Sequence, residues 1–270
     1  MNISKKDLAA RLETELFPRA SKYDPLFAID NQMGPNVLWL TEWLAGKMSF
    51  EPGQRVLDMG CGKAVSSIFL AREFDLRVWA SDLWIKPSEN WPRIREAGMQ
   101  DRVCPVFTEA HALPYAEGFF DALVSMDSYH YYGTDDIYLK YFLSFLKPGG
   151  RIGIVVPGLM RDFEGAVPEY MTRKQPSGSF FWQPSECFSF HTADWWRNHW
   201  AKTELVDIEV CDVLPDGWKY WLRWAELLDE LGVGFDEEAP VLREDQGRYI
   251  GFIRMTARRR DINNINKENE

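Results

Sequence analysis

The stretch VLDMGCGKA, residues 56–64, reads as a short apolar strand that ends in an acid and runs into a glycine-rich turn. Gly60 and Gly62 let backbone come close to a ligand and supply dihedrals that other residues avoid. A helix beginning near Ala64 would aim free N–H groups at the same spot. That geometry suits a nucleotide-like ligand. Asp58 narrows the choice, because a carboxylate at the strand end repels a pyrophosphate and favours a cationic amino-acid ligand without phosphate.

Outward from this turn, Arg55 to Pro157 alternates short β-type runs with helical stretches, the pattern of parallel strands joined by crossover helices. Strands are predicted at 55–59, 77–82, 102–107, 120–127 and 150–157. AVSSIFLAREF and DDIYLKYFLSFL carry apolar residues at helical spacing, and LKPGG breaks the chain before the fifth strand. Asp82 ends the second strand roughly 20 residues after the turn, where a carboxylate can accept from both hydroxyls of a ribose. Two further strands, within 204–213 and 248–257, flank the helical pattern GWKYWLRWAELLDEL. The expected fold is α/β: a doubly wound, mostly parallel seven-stranded sheet with helices on both faces.

Residues 1–50 look helical and are expected to form a cap, with the turn NQMGPN (31–36) before the apolar VLWLTEWLAGKM. The sheet domain then occupies 51–260. An aromatic-rich insertion at about 158–202 is read as a lid, since long irregular insertions are more often binding loops than linkers. Residues 261–270 are polar and read as a flexible tail.

Four segments, VLDMGCGKA, VWASD, EAHALPYAEGFFDALVS and LKPGGRIGIVVPG, occur in this order between about Gly53 and Gly158. Together they resemble the class I S-adenosylmethionine-dependent methyltransferases, which have a Rossmann-like fold. The resemblance implies that Asp58, Gly60, Cys61 and Gly62 line the methionine end of the donor and that Asp82 holds its ribose. It sets Leu83 against the adenine face, Glu109 beside the adenine amino group and the Ala110 amide near a ring nitrogen. Ala64 departs from the pattern at the third glycine and is expected to have helical dihedrals; Glu109 stands where Asp is commoner.

Methyl transfer from a sulfonium is an in-line displacement, so alignment in a dry pocket supplies most of the help, and a base is needed only for an acceptor that must lose a proton. The family sets the end of the fourth strand, here SMDSYHYYG, beside the transferable methyl. His130 is the candidate base, with Asp127 or Tyr129 orienting it or the substrate; packing of His130 between helix and strand is the alternative. Phe181, Trp182 and Trp195 of the insertion could wall a flat apolar or cationic acceptor, and Tyr23 and Met33 could close the other side.

The net charge of −10 and pI near 5.0 exclude general attraction to phosphate backbones or anionic lipid. A small-molecule substrate is expected, with neither nucleic acid nor membrane as partner; homo-oligomer formation stays open. The four cysteines form no CxxC pair, so no zinc site or disulfide framework is read, no metal is expected, and a reducing cytoplasm is the simplest home. No apolar run reaches the roughly 18 residues that span a bilayer. The main expectation is an enzyme methylating a small O-, N- or C-acceptor, with S-adenosylhomocysteine as product. The alternatives are a non-catalytic S-adenosylmethionine sensor or partner subunit, and an NAD-dependent dehydrogenase disfavoured by Asp58.

Overall fold

Alternating residues of the central strand face two different apolar layers, and this decides how the rest of the chain wraps it. In the computed structural model, which describes residues 3–175, 178–235 and 237–261, three helices come first: α1 (Lys5–Leu12), α2 (Pro25–Asp30) and α3 (Val37–Ala45). There follow β1 (Arg55–Met59), α4 (Val65–Phe74), β2 (Arg77–Asp82), α5 (Pro87–Glu96), β3 (Val103–Phe107), β4 (Phe120–Met126), α6 (Tyr138–Ser144) and β5 (Leu146–Leu159). The second half holds α7 (Glu169–Thr172), α8 (Pro184–Cys187), α9 (Ala193–Ala201), β6 (Val206–Val213), α10 (Gly217–Leu231), α11 (Glu238–Asp245) and β7 (Ile250–Arg259).

The seven strands lie in the order β3-β2-β1-β4-β5-β7-β6, with β7 antiparallel to both neighbours and the pairs among β1 to β5 parallel. Val56, Val78 and Val124 enter one layer with residues of α3, α4 and α10; Leu57, Leu123 and Ile154 enter the other with α6 and α9. Period-two alternation between two buried faces is what a sheet covered on both sides requires. Winding reverses between β1 and β4, which opens a crevice at their carboxyl ends.

Three sequence readings need correction. LKPGG is not a break before β5 but its beginning: Leu146 already pairs with Phe120, and a register shift between Phe120 and Ala122 absorbs the extra residues. Helix α5 was not expected, because PSENWPRIRE buries only Asn90 and Ile94 and so shows almost no apolar period. The segment read as a lid includes α9, capped by the Thr192 hydroxyl accepting from the Trp195 amide, whose Trp196 and Trp200 are fully buried against the sheet. It is a crossover helix leading into β6. Of the tail, only Asp261 is among the described residues. Among those residues, no helix is long and apolar enough to cross a membrane.

Trp196 contacts Tyr129 and Trp195 ring to ring and sits in the layer that holds Phe142 and Ile253. Trp196→Ala should therefore cost about 3–5 kcal/mol in urea unfolding, the usual price of emptying an aromatic core site. A lid residue would change the midpoint by less than about 0.5 kcal/mol.

Candidate active site

A cavity of about 320 Å3 opens in the crevice at the ends of β1, β2 and β4, with the turn after β3 and the strap 31–37 as its remaining walls. Its base is the glycine turn. The amides of Gly60 and Cys61 donate to the Ser81 carbonyl at 2.8 and 3.1 Å, and the Gly62 amide donates to Asp82 Oδ2 at 2.8 Å. These three N–H groups are engaged inside the protein and offer nothing to a phosphate, which weighs against a dinucleotide. Gly60 and Gly62 have φ of +72° and +52°, and a Cβ on Gly60 would stand 1.9 Å from Ser128 Oγ.

Asp82 lies on the cavity wall, and its Oδ1 accepts from the Trp84 and Ile85 amides at 2.7 and 2.9 Å. The carboxylate is thereby fixed in orientation, with lone pairs remaining for ligand hydroxyls. Asp58 is different. It is fully buried and off the cavity wall, its Oδ2 accepting from the Ser66 and Ser67 hydroxyls at 2.6 Å each while Oδ1 has no protein partner. Burial raises its pKa to about 6 despite those two donors. The expected contact of Asp58 with the donor is corrected to a role beneath the turn, pinning the start of α4. Ala64 is corrected too: it is left-handed at φ 59°, not helical.

On the opposite side, Leu83, Trp84, Glu109, Ala110 and His111 line the cavity. Glu109 accepts from the His111 amide at 2.9 Å, and His111 Nδ1 lies 2.7 Å from its other oxygen; this hydrogen bond holds the Glu109 carboxyl below the usual range. The Ala110 carbonyl accepts from the Tyr138 hydroxyl, which steadies the turn.

After β4 the chain makes a left-handed step at Asp127, φ 53°, and then a short 3-10 turn at Tyr129–Tyr131. Asp127, Ser128, Tyr131 and Tyr132 face the cavity, whereas Tyr129 and His130 turn inward. Tyr129 packs among Phe142, Trp196 and Trp200, and burial raises the pKa of its hydroxyl. The His130 ring lies tilted against that of Tyr131, centroids 4.0 Å apart, with Nδ1 unpaired among the described residues, and burial lowers its pKa to about 3. A ring that burial keeps from taking up a proton, held off the cavity wall, is a poor base, so the catalytic roles read for His130 and Tyr129 are corrected to packing behind Tyr131. Asp127 alone of the three reaches the cavity; desolvation raises its pKa to about 7.

Of the residues read as acceptor walls, Met33 lines the cavity, close to Gly62. The others do not. Tyr23 donates to Glu73 and packs on Phe69; Phe181 faces Trp221; Trp182 lies between Phe163 and Phe190; Trp195 is stacked between His191 and His199. Aromatic content drew attention to the insertion, but its rings pack against one another and against the body of the protein. Sequence reading missed Trp84, Ser128, Tyr131 and Tyr132, whose only signal was position directly after β2 or β4. Among the described residues, no cluster of three His, Cys, Asp or Glu could hold a metal ion.

Residues 56–150 match the family described as methyltransferase domain. The methyltransferase GfsG of Streptomyces halstedii is 31% identical over 157 residues, 57% of this chain and 54% of that protein, so the chain spans about half the length of this relative. Among solved structures, geranyl diphosphate C-methyltransferase from Streptomyces coelicolor A3(2), in complex with Mg2+, geranyl-S-thiolodiphosphate and S-adenosyl-L-homocysteine, superposes with a TM-score of 0.67 at 17% identity over 95% of this chain and 85% of that one. The [4+2]-cyclase SpnF superposes at 0.64 with 21% identity over 86% of this chain and 84% of that one, so the shared fold alone does not choose the reaction. The ordered motifs and the switch-point crevice agree with the match of residues 56–150 to a methyltransferase domain.

Proposed function

We propose that the protein is an enzyme that transfers a methyl group from S-adenosylmethionine to a small organic acceptor. The observation that carries this reading is the oriented Asp82 carboxylate on a cavity whose base is a turn with its amides turned away from the ligand. Such a base accepts an uncharged ribose and a cationic amino-acid end and offers nothing to a pyrophosphate.

The residues present fit that donor. Asp82 would hold the ribose hydroxyls, Gly60, Cys61 and Gly62 would border the methionine end, and Leu83, Glu109, Ala110 and His111 would edge the adenine. Bound there, S-adenosylmethionine supplies a methyl on a positively charged sulfur. The chain contributes alignment and exclusion of water: Met33, Pro35 and Met126 provide apolar wall, while Tyr132 is fixed by hydrogen bonds with Ser125 and the Met59 carbonyl. The cap 1–50 supplies the strap, the unit 51–260 supplies the donor site, and the insertion at about 158–202 backs Tyr131 through His130 and Phe190. The acidic surface supports a small acceptor in place of nucleic acid, and four free cysteines suit a reducing cytoplasm. Transfer of label from S-adenosylmethionine to any member of a panel of amines, phenols and carboxylates is the direct test; binding of product without transfer to any of them would favour the sensor.

Two substitutions check the donor site. Asp82→Ala removes the acceptor for ribose and releases three backbone amides, so S-adenosylhomocysteine affinity measured by calorimetry should fall by at least about 2–3 kcal/mol. An unchanged constant would remove Asp82 from the donor site. Gly60→Val meets Ser128 as well as the ligand and forces a branched side chain into a left-handed backbone. It should abolish binding and also lower unfolding free energy by about 1–3 kcal/mol, read by circular dichroism.

A further inference from the structure

Asp127 is an aspartate in the left-handed region at the end of β4, held there by its amide, which donates to the Val155 carbonyl at 2.8 Å. That conformation turns the carboxylate toward the cavity and the strap. A Cβ on Gly34 would stand 2.7 Å from Asp127 Oδ2, so the strap passes the carboxylate at the one residue that leaves room for it. The neighbouring walls are Met33, Pro35, Met126 and the half-exposed ring of Tyr131. Among the described residues, no N–H, hydroxyl or cation is bonded to this carboxylate. The titratable groups that feel its charge are Tyr131 and Glu238, and neither can bring a positive charge. Lys63, the lysine on the cavity wall, directs its ammonium to the carbonyls of Asp30 and Gln32.

We propose, resting on the methyltransferase reading above, that the acceptor is a cationic amine whose ammonium is held and deprotonated by the Asp127 carboxylate. A carboxylate largely withdrawn from water needs a proton or a cation beside it, and none of the described residues supplies a cation. Burial accordingly raises its pKa to about 7, where it both carries charge and accepts a proton near neutrality. The face of Tyr131 adds a cation–π surface. A neutral hydroxyl would leave the charge uncompensated, and an anionic acceptor would be repelled.

The step balances with the donor as co-substrate. The ammonium gives a proton to Asp127, and its freed lone pair forms the nitrogen–methyl bond as the methyl–sulfur bond breaks, the electron pair of that bond remaining on sulfur. The products are the methylated ammonium and neutral thioether; the proton on Asp127 returns to water when they leave.

The test uses the full chain saturated with S-adenosylhomocysteine at pH 8, titrated calorimetrically with benzylammonium, benzyl alcohol and benzoate as matched probes. Wild type should bind benzylammonium at least about tenfold more tightly than either other probe. Asp127→Asn, whose side chain also tolerates the left-handed backbone, should lose about ten- to a hundredfold of that affinity with benzyl alcohol binding unchanged. Because the carboxyl is protonated below its raised pKa, the preference for the cation should also fade as pH drops from 8 to 5. Absence of benzylammonium binding, equal binding of the three probes, or indifference to Asp127→Asn would overturn the proposal. So would a fall in S-adenosylhomocysteine affinity in Asp127→Asn, since it would assign the carboxylate to the donor's own ammonium. A wild-type chain that fails to bind S-adenosylhomocysteine would instead overturn the methyltransferase reading.

Discussion

The hydrogen bond from the Gly62 amide to Asp82, together with those from Gly60 and Cys61 to the Ser81 carbonyl, folds the glycine turn back onto the end of β2. The rest of the site follows from that closure. It removes the amides from the ligand side, orients the Asp82 carboxylate, and brings Gly60 so close to Ser128 that the end of β4 interlocks with the end of β1. Beneath the turn, Asp58 holds α4 through two serine hydroxyls. Three strand ends and one helix start are thus fixed relative to one another with no ligand contact involved, and the cavity is the space they leave.

Most of the sheet was legible because its strands are short apolar runs bounded by glycine, proline or acid, and such punctuation survives without knowledge of tertiary contacts. Facing directions were less so. Asp58 looked like a ligand contact because it stands beside the glycine turn, one residue before the end of β1, and only the two serines of α4 decide its partners. In the segment DSYHYY the left-handed step at Asp127 and the 3-10 turn after it decide which side chains face the cavity, and no sequence period shows either. Tyr131 and Tyr132 therefore face the cavity while Tyr129 and His130 are packed behind. The aromatics of 158–202 misled for another reason: burying large rings is a general use of them, and pairs such as His191 with Trp195 satisfy each other locally.

The acceptor side of the cavity is assembled from parts far apart in sequence. Residues 31–37 are held by Lys63 from the glycine turn, by Arg93 of α5 on Asn31, by the Trp224 indole donating to the Gly34 carbonyl at 2.9 Å, and by Gln32 reaching the Val233 carbonyl. Asn36 then caps α3, so the strap leaves the cavity directly into a packed helix. The segment is thereby kept in one position by side chains from three different elements and by its own Gln32.

That arrangement makes the strap a separable cassette. Its borders, α2 and α3, are helices with their own capping residues, and the tethers that reach it are side chains and not strand pairing. Exchanging the few residues around Met33 and Pro35 would reshape the room above Asp127 while the opposite wall, built from strand ends and the turns that follow them, kept its form. Under the proposed methyltransferase reading, a change of acceptor has its least costly path through this segment, and a laboratory effort at retargeting would begin there before touching the aromatic insertion.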